Sequence, residues 1–111
     1  MLFKDVVRGP PLSGHVRLEC GRGGCYFHVP VDLVPTSSSF EVVLRRERED
    51  ASVVLYGTVV DVEEDGHVLV SNGGMMERVL ESGTYEVGDP VYTLLLTRRT
   101  RPKRELAQDH S

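Results

Sequence analysis

Hydrophobic and polar positions alternate with period two over much of the chain, and one segment departs from this pattern. Val91–Thr97 is a run of seven apolar or Thr residues without charge, and it follows the turn residues Gly88 and Asp89. Such a run predicts a central β-strand covered on both faces. Pro90 suits the first strand position, where no ladder donor is lost. A short buried helix is the alternative, since three consecutive Leu residues also suit a helix.

The clearest alternation lies in His15–Pro30 and predicts a β-hairpin. If residues 21–24 form its loop, three facing pairs make an apolar face, namely Cys20 with Cys25, Leu18 with Phe27 and Val16 with Val29. The other face is polar and pairs Arg17 with His28 and Glu19 with Tyr26. Apolar and polar residues alternate in step on both strands, and this agreement predicts the register. The loop glycines serve either the positive φ of a hairpin loop or a backbone nest for an anion.

A second hairpin is predicted over Gly57–Asn72, with Glu64-Asp65-Gly66 as its loop. This loop pairs Val62 with Val68 and Val60 with Val70 towards the core, so that Asp61 and Glu63 point the other way. Residues 71–76 (SNGGMM) are predicted to form a flexible loop. Its residues Met75 and Met76 either cap the core or lie exposed, as candidates for binding a partner.

The remaining pattern predicts short strands separated by Gly, Pro and Ser. Leu2–Val7 is predicted to be one edge strand, because the prolines that follow cannot continue a central ladder. Further strands are predicted at Phe40–Leu44 and Ala51–Tyr56. The resulting fold class is all-β, a single antiparallel domain over residues 1–98 with about eight strands. A jelly-roll-like sandwich and a small barrel both satisfy this count.

Composition and charge narrow the function classes. The chain of 111 residues is 40% hydrophobic and 27% charged, which is typical of a globular domain. The formal net charge of the chain is −4. Five positive charges lie at Arg98, Arg99, Arg101, Lys103 and Arg104, so the rest of the chain carries a net charge of −9. An acidic body predicts weak or no nucleic-acid binding. Residues 99–111 are predicted to be a flexible tail, first basic and then polar, with the basic run a candidate nuclear-localisation or anion-binding segment.

No segment has the pattern of a signal peptide or of a membrane span. We therefore expect an intracellular protein, cytoplasmic, nuclear or both.

Four residues have the side chains of a zinc site, namely His15, Cys20, Cys25 and His28. The predicted hairpin places both thiols on the apolar face and His28 on the polar face, so the four cannot converge on one ion. We predict no metal and no cofactor. Cross-strand thiols can form a disulfide, but an intracellular setting favours two free, buried cysteines.

Three segments resemble, in order, the trimeric dUTPase family. They are VDLVP at 31–35, GTVVDVEEDGHVLVSN at 57–72 and YEVGDPVYTLLL at 85–96. The third is closer still to the dUTPase-derived early-region proteins of adenoviruses, through Gly88, Pro90, Val91, Thr93–Leu96, Arg98 and Pro102. The resemblance covers about half of the chain. It implies a dUTPase-like jelly roll, a viral accessory protein that acts on host proteins, and a homotrimer.

The departures from that family concern catalysis. Asp61 takes the position of the family's catalytic-water aspartate, but acidic residues replace the nucleoside-stacking tyrosine expected just before Gly66. No Pro-Arg-Ser-Gly phosphate-binding segment lies between Phe40 and Gly57. Asp61 is then only a vestigial position. The resemblance implies a catalytically inactive protein-interaction module.

An alternative of another class is an OB-type or cold-shock-type domain that binds single-stranded nucleic acid. The segment GGCYFHV places Tyr26 and His28 on the polar face of the hairpin, where base-stacking residues lie in such domains. Against it stand the acidic body and an aromatic content of only 6%. Tyr26 and His28 are candidate binding residues under either hypothesis. A β-sandwich of another family remains the third possibility.

Overall fold

The computed structural model describes residues 1–81 and 83–97. Nine strands follow one another as β1 (Leu2–Phe3), β2 (Val7–Arg8), β3 (His15–Glu19), β4 (Tyr26–Pro30), β5 (Phe40–Arg45), β6 (Val53–Val62), β7 (His67–Asn72), β8 (Met75–Leu80) and β9 (Pro90–Leu96), with a 3₁₀ turn at Val31–Leu33. The predicted basic run at 98–104, the domain boundary at residue 98 and the tail lie outside the described residues. Within residues 1–81 and 83–97, no helix has the length and apolar character needed to cross a membrane.

All strand pairs are antiparallel and form one sheet in the order β1-β5-β9-β6-β7-β8-β4-β3-β2. The sheet curls into a half-barrel, which confirms the predicted all-β class with barrel or sandwich character. Because the sheet curls, one of its faces becomes the inside, and most of the apolar core lies there.

The N-terminal segment contributes both edges of the sheet. β1 pairs with β5 and β2 pairs with β3, at opposite ends of the strand order. The prediction of one edge strand at Leu2–Val7 is therefore wrong. Asp5 adopts a positive φ of 50° between the two halves, and the amide of Gly21 donates to Lys4 O at 3.0 Å. Splitting the strand leaves two edges of only two residues each, which offer little to a further strand.

Three phenylalanines pack together inside the curl and join β4 to the neighbouring strands β1 and β5, which lie far from it in the strand order. The Phe3 ring lies 5.3 Å from that of Phe27 and 5.7 Å from that of Phe40, and the Phe27 and Phe40 centroids are 6.0 Å apart. All three side chains are buried. Edge-to-face and offset contacts at such distances add stability beyond the area they bury.

β9 is the predicted central strand, and the helix alternative is wrong. It lies between β5 and β6, with Leu95 opposite Val42 on one side and Val53 on the other. Val91 and Leu95 belong to the inner core, while Leu94 points the other way and is still only 1% exposed. The strand is thus covered on both faces, as its uncharged sequence predicts.

The first hairpin has the predicted register: the four predicted pairs from Val16–Val29 to Glu19–Tyr26 are present, and His15–Pro30 continues the ladder. The prediction of free thiols is wrong, because Cys20 and Cys25 form a disulfide across the end of this hairpin. Their Cα atoms lie 5.6 Å apart, within the range that a disulfide spans without backbone movement. Direct cross-strand pairing brings the sulfurs together, and the expected intracellular setting did not predict this outcome.

The second hairpin follows the predicted register only near its loop. Val62 pairs with Val68, as predicted, but it is 40% exposed and not in the core. Val70 pairs with Val59 and not with Val60. Val60 is the extra residue of a β-bulge and is 41% exposed. A bulge changes which residues of its strand face inward, so Val59 takes the core position that alternation assigned to Val60.

The predicted flexible loop at residues 71–76 is instead the tight turn of a third hairpin. β7 ends at Asn72, β8 begins at Met75, and only Gly73 and Gly74 lie between them. Their φ values are 63° and 95°. Two consecutive positive φ angles are what a two-residue hairpin turn requires, and glycine meets this without steric cost. The Gly-Gly dipeptide was therefore the overlooked signal for β8.

Candidate functional site

The candidate binding residues lie on the outer face of β3, β4 and β8. Tyr26 pairs with Glu19 on β3 and with Arg78 on β8, and His28 pairs with Arg17. The alternation that buries Leu18 and Phe27 inside the curl turns these polar side chains outward. The structure thus brings Tyr26 and His28 together on one surface, as the sequence predicts.

His28 links β4 to β8 beyond their only paired position, Tyr26 with Arg78. Its Nδ1 lies 2.8 Å from the carbonyl oxygen of Met76. A carbonyl only accepts hydrogen bonds, so Nδ1 is the protonated nitrogen in this contact. The imidazole is thereby fixed in orientation, and its Nε2 points away from the bond.

A cleft of about 380 Å³ opens beside His28, lined by Gly9, Pro10, Pro11, Leu12, His15, Arg17, His28 and Met75. Ser13 and Gly14 form a tight turn with φ values of 52° and 75°, and Leu12 and His15 exchange backbone hydrogen bonds of 2.8 and 3.0 Å. This turn folds the proline segment back along β3, where Gly9 N donates to Arg17 O at 2.8 Å. The cleft is the space between that segment and the sheet. Leu12 stands at its rim, 76% exposed.

Tyr26 is already in contact with neighbouring side chains. The Arg17 guanidinium lies 3.9 Å from the centroid of its ring, and Arg17 also binds Glu19 at 2.7 Å. The His28 ring meets Tyr26 edge-on, with centroids 6.4 Å apart. A nucleobase would have to displace Arg17 to stack on that face of the ring, which disfavours the OB-type hypothesis at this position.

The two candidate methionines have different environments. Both are half-buried, which matches neither a closed core nor a free surface. Met75 lines the cleft, and the backbone carbonyl of Met76 accepts the hydrogen bond from His28. Because Glu77 is buried inside the curl, alternation along β8 places Met76 on the outer face with His28, and both methionines stay candidate binding residues.

Asp61 lies on the same cross-strand row as Tyr26 but at some distance from the cleft. The row runs from Asp61 through Leu69 and Arg78 to Tyr26, a span of three strand spacings or roughly 14 Å. Asp61 is exposed, and its Oδ1 accepts a hydrogen bond from the backbone amide of Val62 at 2.9 Å. The structure thus does not join Asp61 to the predicted partner-binding residues.

Arg78 is a site residue that sequence reasoning missed. Its guanidinium binds Glu63 through two contacts of 2.7 and 3.0 Å and also donates to Gly24 O. The hydrogen bond from Arg78 holds the pKa of Glu63 below its ordinary value. Arg78 thereby joins the loops of the first two hairpins and neutralises part of the acidic turn. The predicted loop at residues 71–76 took in only the start of its strand, and Arg78 was assigned to no element, so its position could not be inferred from the sequence.

A second polar cluster lies inside the curl, around Glu77. This side chain is fully buried and accepts hydrogen bonds from Thr93 Oγ1 at 2.7 Å and from the amide nitrogen of Asn72. Burial raises the pKa of Glu77 to about 7, against the opposing effect of those two donors. The carboxyl group is therefore poised between its neutral and charged forms near neutral pH.

Among the described residues, no three or more His, Cys, Asp and Glu side chains are grouped so that they could hold a metal ion. The thiols and His28 lie on opposite faces, as predicted, and a separate cavity of about 510 Å³ adjoins the disulfide. Compared with known proteins, the chain matches no family model and has no significant similarity to a curated protein.

Proposed function

We propose that the protein is a non-catalytic, dUTPase-like module that binds a protein segment on the outer face of β3, β4 and β8. The observation that carries the proposal is the cleft beside His28, with the exposed side chain of Leu12 at its rim. Exposed apolar groups beside a concave surface are typical anchors of protein–protein contacts. Tyr26 and Arg17 adjoin the cleft and are residue types enriched in such contacts.

The charges of this surface indicate the chemistry of the partner. The cleft is lined by one guanidinium and two imidazoles, and its described lining contains no carboxylate, although the chain is acidic overall. Charge complementarity favours a segment that combines an apolar anchor with acidic residues. Other acidic surfaces of the protein would repel the same segment and so favour this face.

Local contacts support the proposed lack of dUTP hydrolysis. Asp61 accepts a hydrogen bond from its neighbouring amide, and Arg78 engages Glu63 in the turn where the family places a nucleoside-stacking tyrosine. Phosphoryl chemistry needs cations or donors around the phosphate oxygens, whereas this turn is rich in carboxylates. The dUTPase-like relationship itself is supported by the resemblance: residues 57–72 span most of the β6–β7 hairpin, and residues 85–96 lead into β9.

The proposed setting is a virus acting on host proteins, with the chain as a homotrimer. Both points rest on the three resembling segments and on the closeness of residues 88–102 to the adenoviral early-region proteins.

A peptide-display selection against the purified protein tests the proposal. We expect enrichment of segments with an apolar residue flanked by Asp or Glu. Synthetic copies should bind at least tenfold more weakly to Leu12→Asp. Val87→Asp, which changes another exposed apolar side chain in the loop before β9, should bind them as the native protein does. Selection of no common sequence, or equal binding to both variants, would refute the proposed surface.

Two further measurements separate this function from the alternatives. Pyrophosphate release from dUTP with Mg²⁺ should equal the background, and turnover lost in Asp61→Asn would show an active hydrolase. Binding of single-stranded oligonucleotides should disappear when residues 98–111 are deleted and should weaken steeply with salt. Binding that survives the deletion and falls in Tyr26→Ala would favour the OB-type alternative.

A further inference from the structure

We propose that Cys20 and Cys25 form a reversible thiol–disulfide exchange site for small anionic thiols of the glutathione class. Their disulfide lines the cavity of about 510 Å³ at the end of the first hairpin. A cavity of this volume is typical of sites for small molecules. The proposal concerns the isolated chain, so it does not depend on partner binding at the cleft beside His28.

The two cysteines are unequally accessible, and this decides where a thiol attacks. Cys25 is only 2% exposed, whereas Cys20 is half-buried and adjoins the exposed loop of residues 21–24. Exchange begins when a thiolate reaches one sulfur of the disulfide, and its rate depends on access to that sulfur. The geometry therefore assigns Cys20 as the attacked residue and Cys25 as the leaving one.

Reduction of the disulfide takes two exchanges. A small-molecule thiolate attacks Sγ of Cys20, the Sγ–Sγ bond breaks, and Cys25 leaves as a thiolate that takes a proton from water. A second thiolate attacks the small-molecule sulfur of the mixed disulfide and releases Cys20, which is protonated in turn. Two small thiols are thereby oxidised to one small disulfide, and Cys20 and Cys25 are reduced. The small disulfide drives the reverse reaction.

The hairpin has other contacts that hold it together when the disulfide is reduced. Five ladder pairs join β3 to β4, and the amide of Cys20 donates to Cys25 O at 3.1 Å as a continuation of that ladder. Gly23 O lies 3.0 Å from Sγ of Cys20 and can accept from its thiol after reduction. The loop of residues 21–24 is short, so closing it contributes less stability than closing a long loop. The reduced thiols therefore stay opposite each other, ready to re-form the bond.

The charges around the cavity favour an anionic thiol. Lys4, Arg22 and His67 line it, although the chain is acidic overall. Asp5 is the one carboxylate residue in its described lining. The amide of Gly21 donates to Lys4 O at 3.0 Å, which holds the N-terminal segment against the hairpin loop. Positive groups attract an incoming thiolate and stabilise the one that leaves.

Incubation of the full chain in buffers of reduced and oxidised glutathione tests the site. Samples are quenched with acid, and peptide mass spectrometry without reductant locates free thiols and mixed disulfides at Cys20 or Cys25. Far-UV circular dichroism follows the fold of the reduced form. Cysteamine, a small cationic thiol, is the comparison for charge, with rates measured at equal thiolate concentration.

We expect reduction that follows the ratio of reduced to oxidised glutathione, with the spectrum of the oxidised protein retained and the mixed disulfide on Cys20. Oxidised glutathione should form its adduct with Cys25→Ser at least tenfold faster than with Cys20→Ser, where only the buried thiol is left. Arg22→Gln should slow reduction by glutathione at least threefold relative to reduction by cysteamine. Arg48→Gln, at an exposed arginine outside the cavity, is the matched control and should not.

Four results would each overturn the proposal. They are a native protein that stays oxidised in excess reduced glutathione, a mixed disulfide on Cys25, loss of the β-sheet spectrum on reduction, and equal behaviour of Arg22→Gln and Arg48→Gln.

Discussion

Thr93 Oγ1 and Glu77 Oε2 lie 2.7 Å apart, although two strands separate β9 from β8 in the sheet. The contact crosses the inside of the curl, and Gly57 of β6 lies against Asn72, the other donor to Glu77. A Cβ at Gly57 would lie 2.2 Å from Asn72 Oδ1 and 2.5 Å from Ser71 O. The missing side chain of Gly57 therefore makes the room in which the polar cluster forms.

Glu77 makes the stability of the protein depend on pH. Its pKa rises from 4.5 to about 7 on folding, so between these values the folded state holds a proton that the unfolded chain releases. The free energy of unfolding should therefore fall by about 3 kcal/mol as the pH rises from 4.5 to 7. Glu77→Gln, which stays neutral, should lack this fall and be the more stable protein at pH 8.

Urea denaturation at several pH values between 4 and 8 measures the free energy of unfolding of the native protein and of Glu77→Gln. The difference between the two removes the contribution of the histidines, which titrate in both proteins. Glu41→Gln, a change at an exposed glutamate, is the control and should follow the native curve. Parallel curves for native protein and Glu77→Gln would refute the buried, protonated carboxyl.

Gly57→Ala should destabilise the fold by about 1–3 kcal/mol, because the added methyl group overlaps the backbone carbonyl of Ser71. Thr58 is paired with Ser71 in the ladder, so the two strands cannot separate locally to relieve the overlap. Thermal unfolding followed by circular dichroism checks this. Gly9→Ala is the control, since its Cβ would meet neighbours at an ordinary 3.5 Å. Equal melting temperatures for the two variants would contradict the close approach.

The Cys20–Cys25 disulfide should be present in protein purified without reductant. Mass spectrometry after denaturation with iodoacetamide should find no alkylated cysteine, and two after reduction. Closing so short a loop restricts the unfolded chain, so Cys20→Ser with Cys25→Ser should cost about 2 kcal/mol of stability. Two alkylated thiols in unreduced protein would restore the prediction of free cysteines.

The homotrimer stays a prediction, and the structure indicates which surface could form its subunit contacts. A single chain would have to cover the outer face of β9 with its own apolar side chains, and Phe3 and Phe40 do not do so because they pack inside the curl. On that face Leu94 is already covered, but Tyr56 is 60% exposed and lies against Tyr92, with ring centroids 4.9 Å apart. We expect light scattering to give the mass of a trimer, and Tyr56→Arg to give that of one chain. A single-chain mass for the native protein, unchanged on dilution, would refute the trimer.

The sequence by itself determined the local features of this protein. The register of the first hairpin follows from alternation, because it depends on neighbours along the chain. The central position of β9 follows from its uncharged run, because such a run has to be buried on both faces. The same register predicted that Tyr26 and His28 lie on one outer face of the sheet. The Gly73-Gly74 turn was equally readable from its two glycines, although it was predicted as a flexible loop.

Tertiary structure alone decided the features that depend on distant contacts. Alternation gave no sign that the N-terminal segment divides between opposite edges, that Val60 bulges, or that Glu77 is buried against Thr93. The cleft likewise needs a turn at Ser13–Gly14, strand β3 and Met75 of β8 at once. Such arrangements are set by the curl of the whole sheet, since the free energy of packing one strand depends on side chains that only folding brings near.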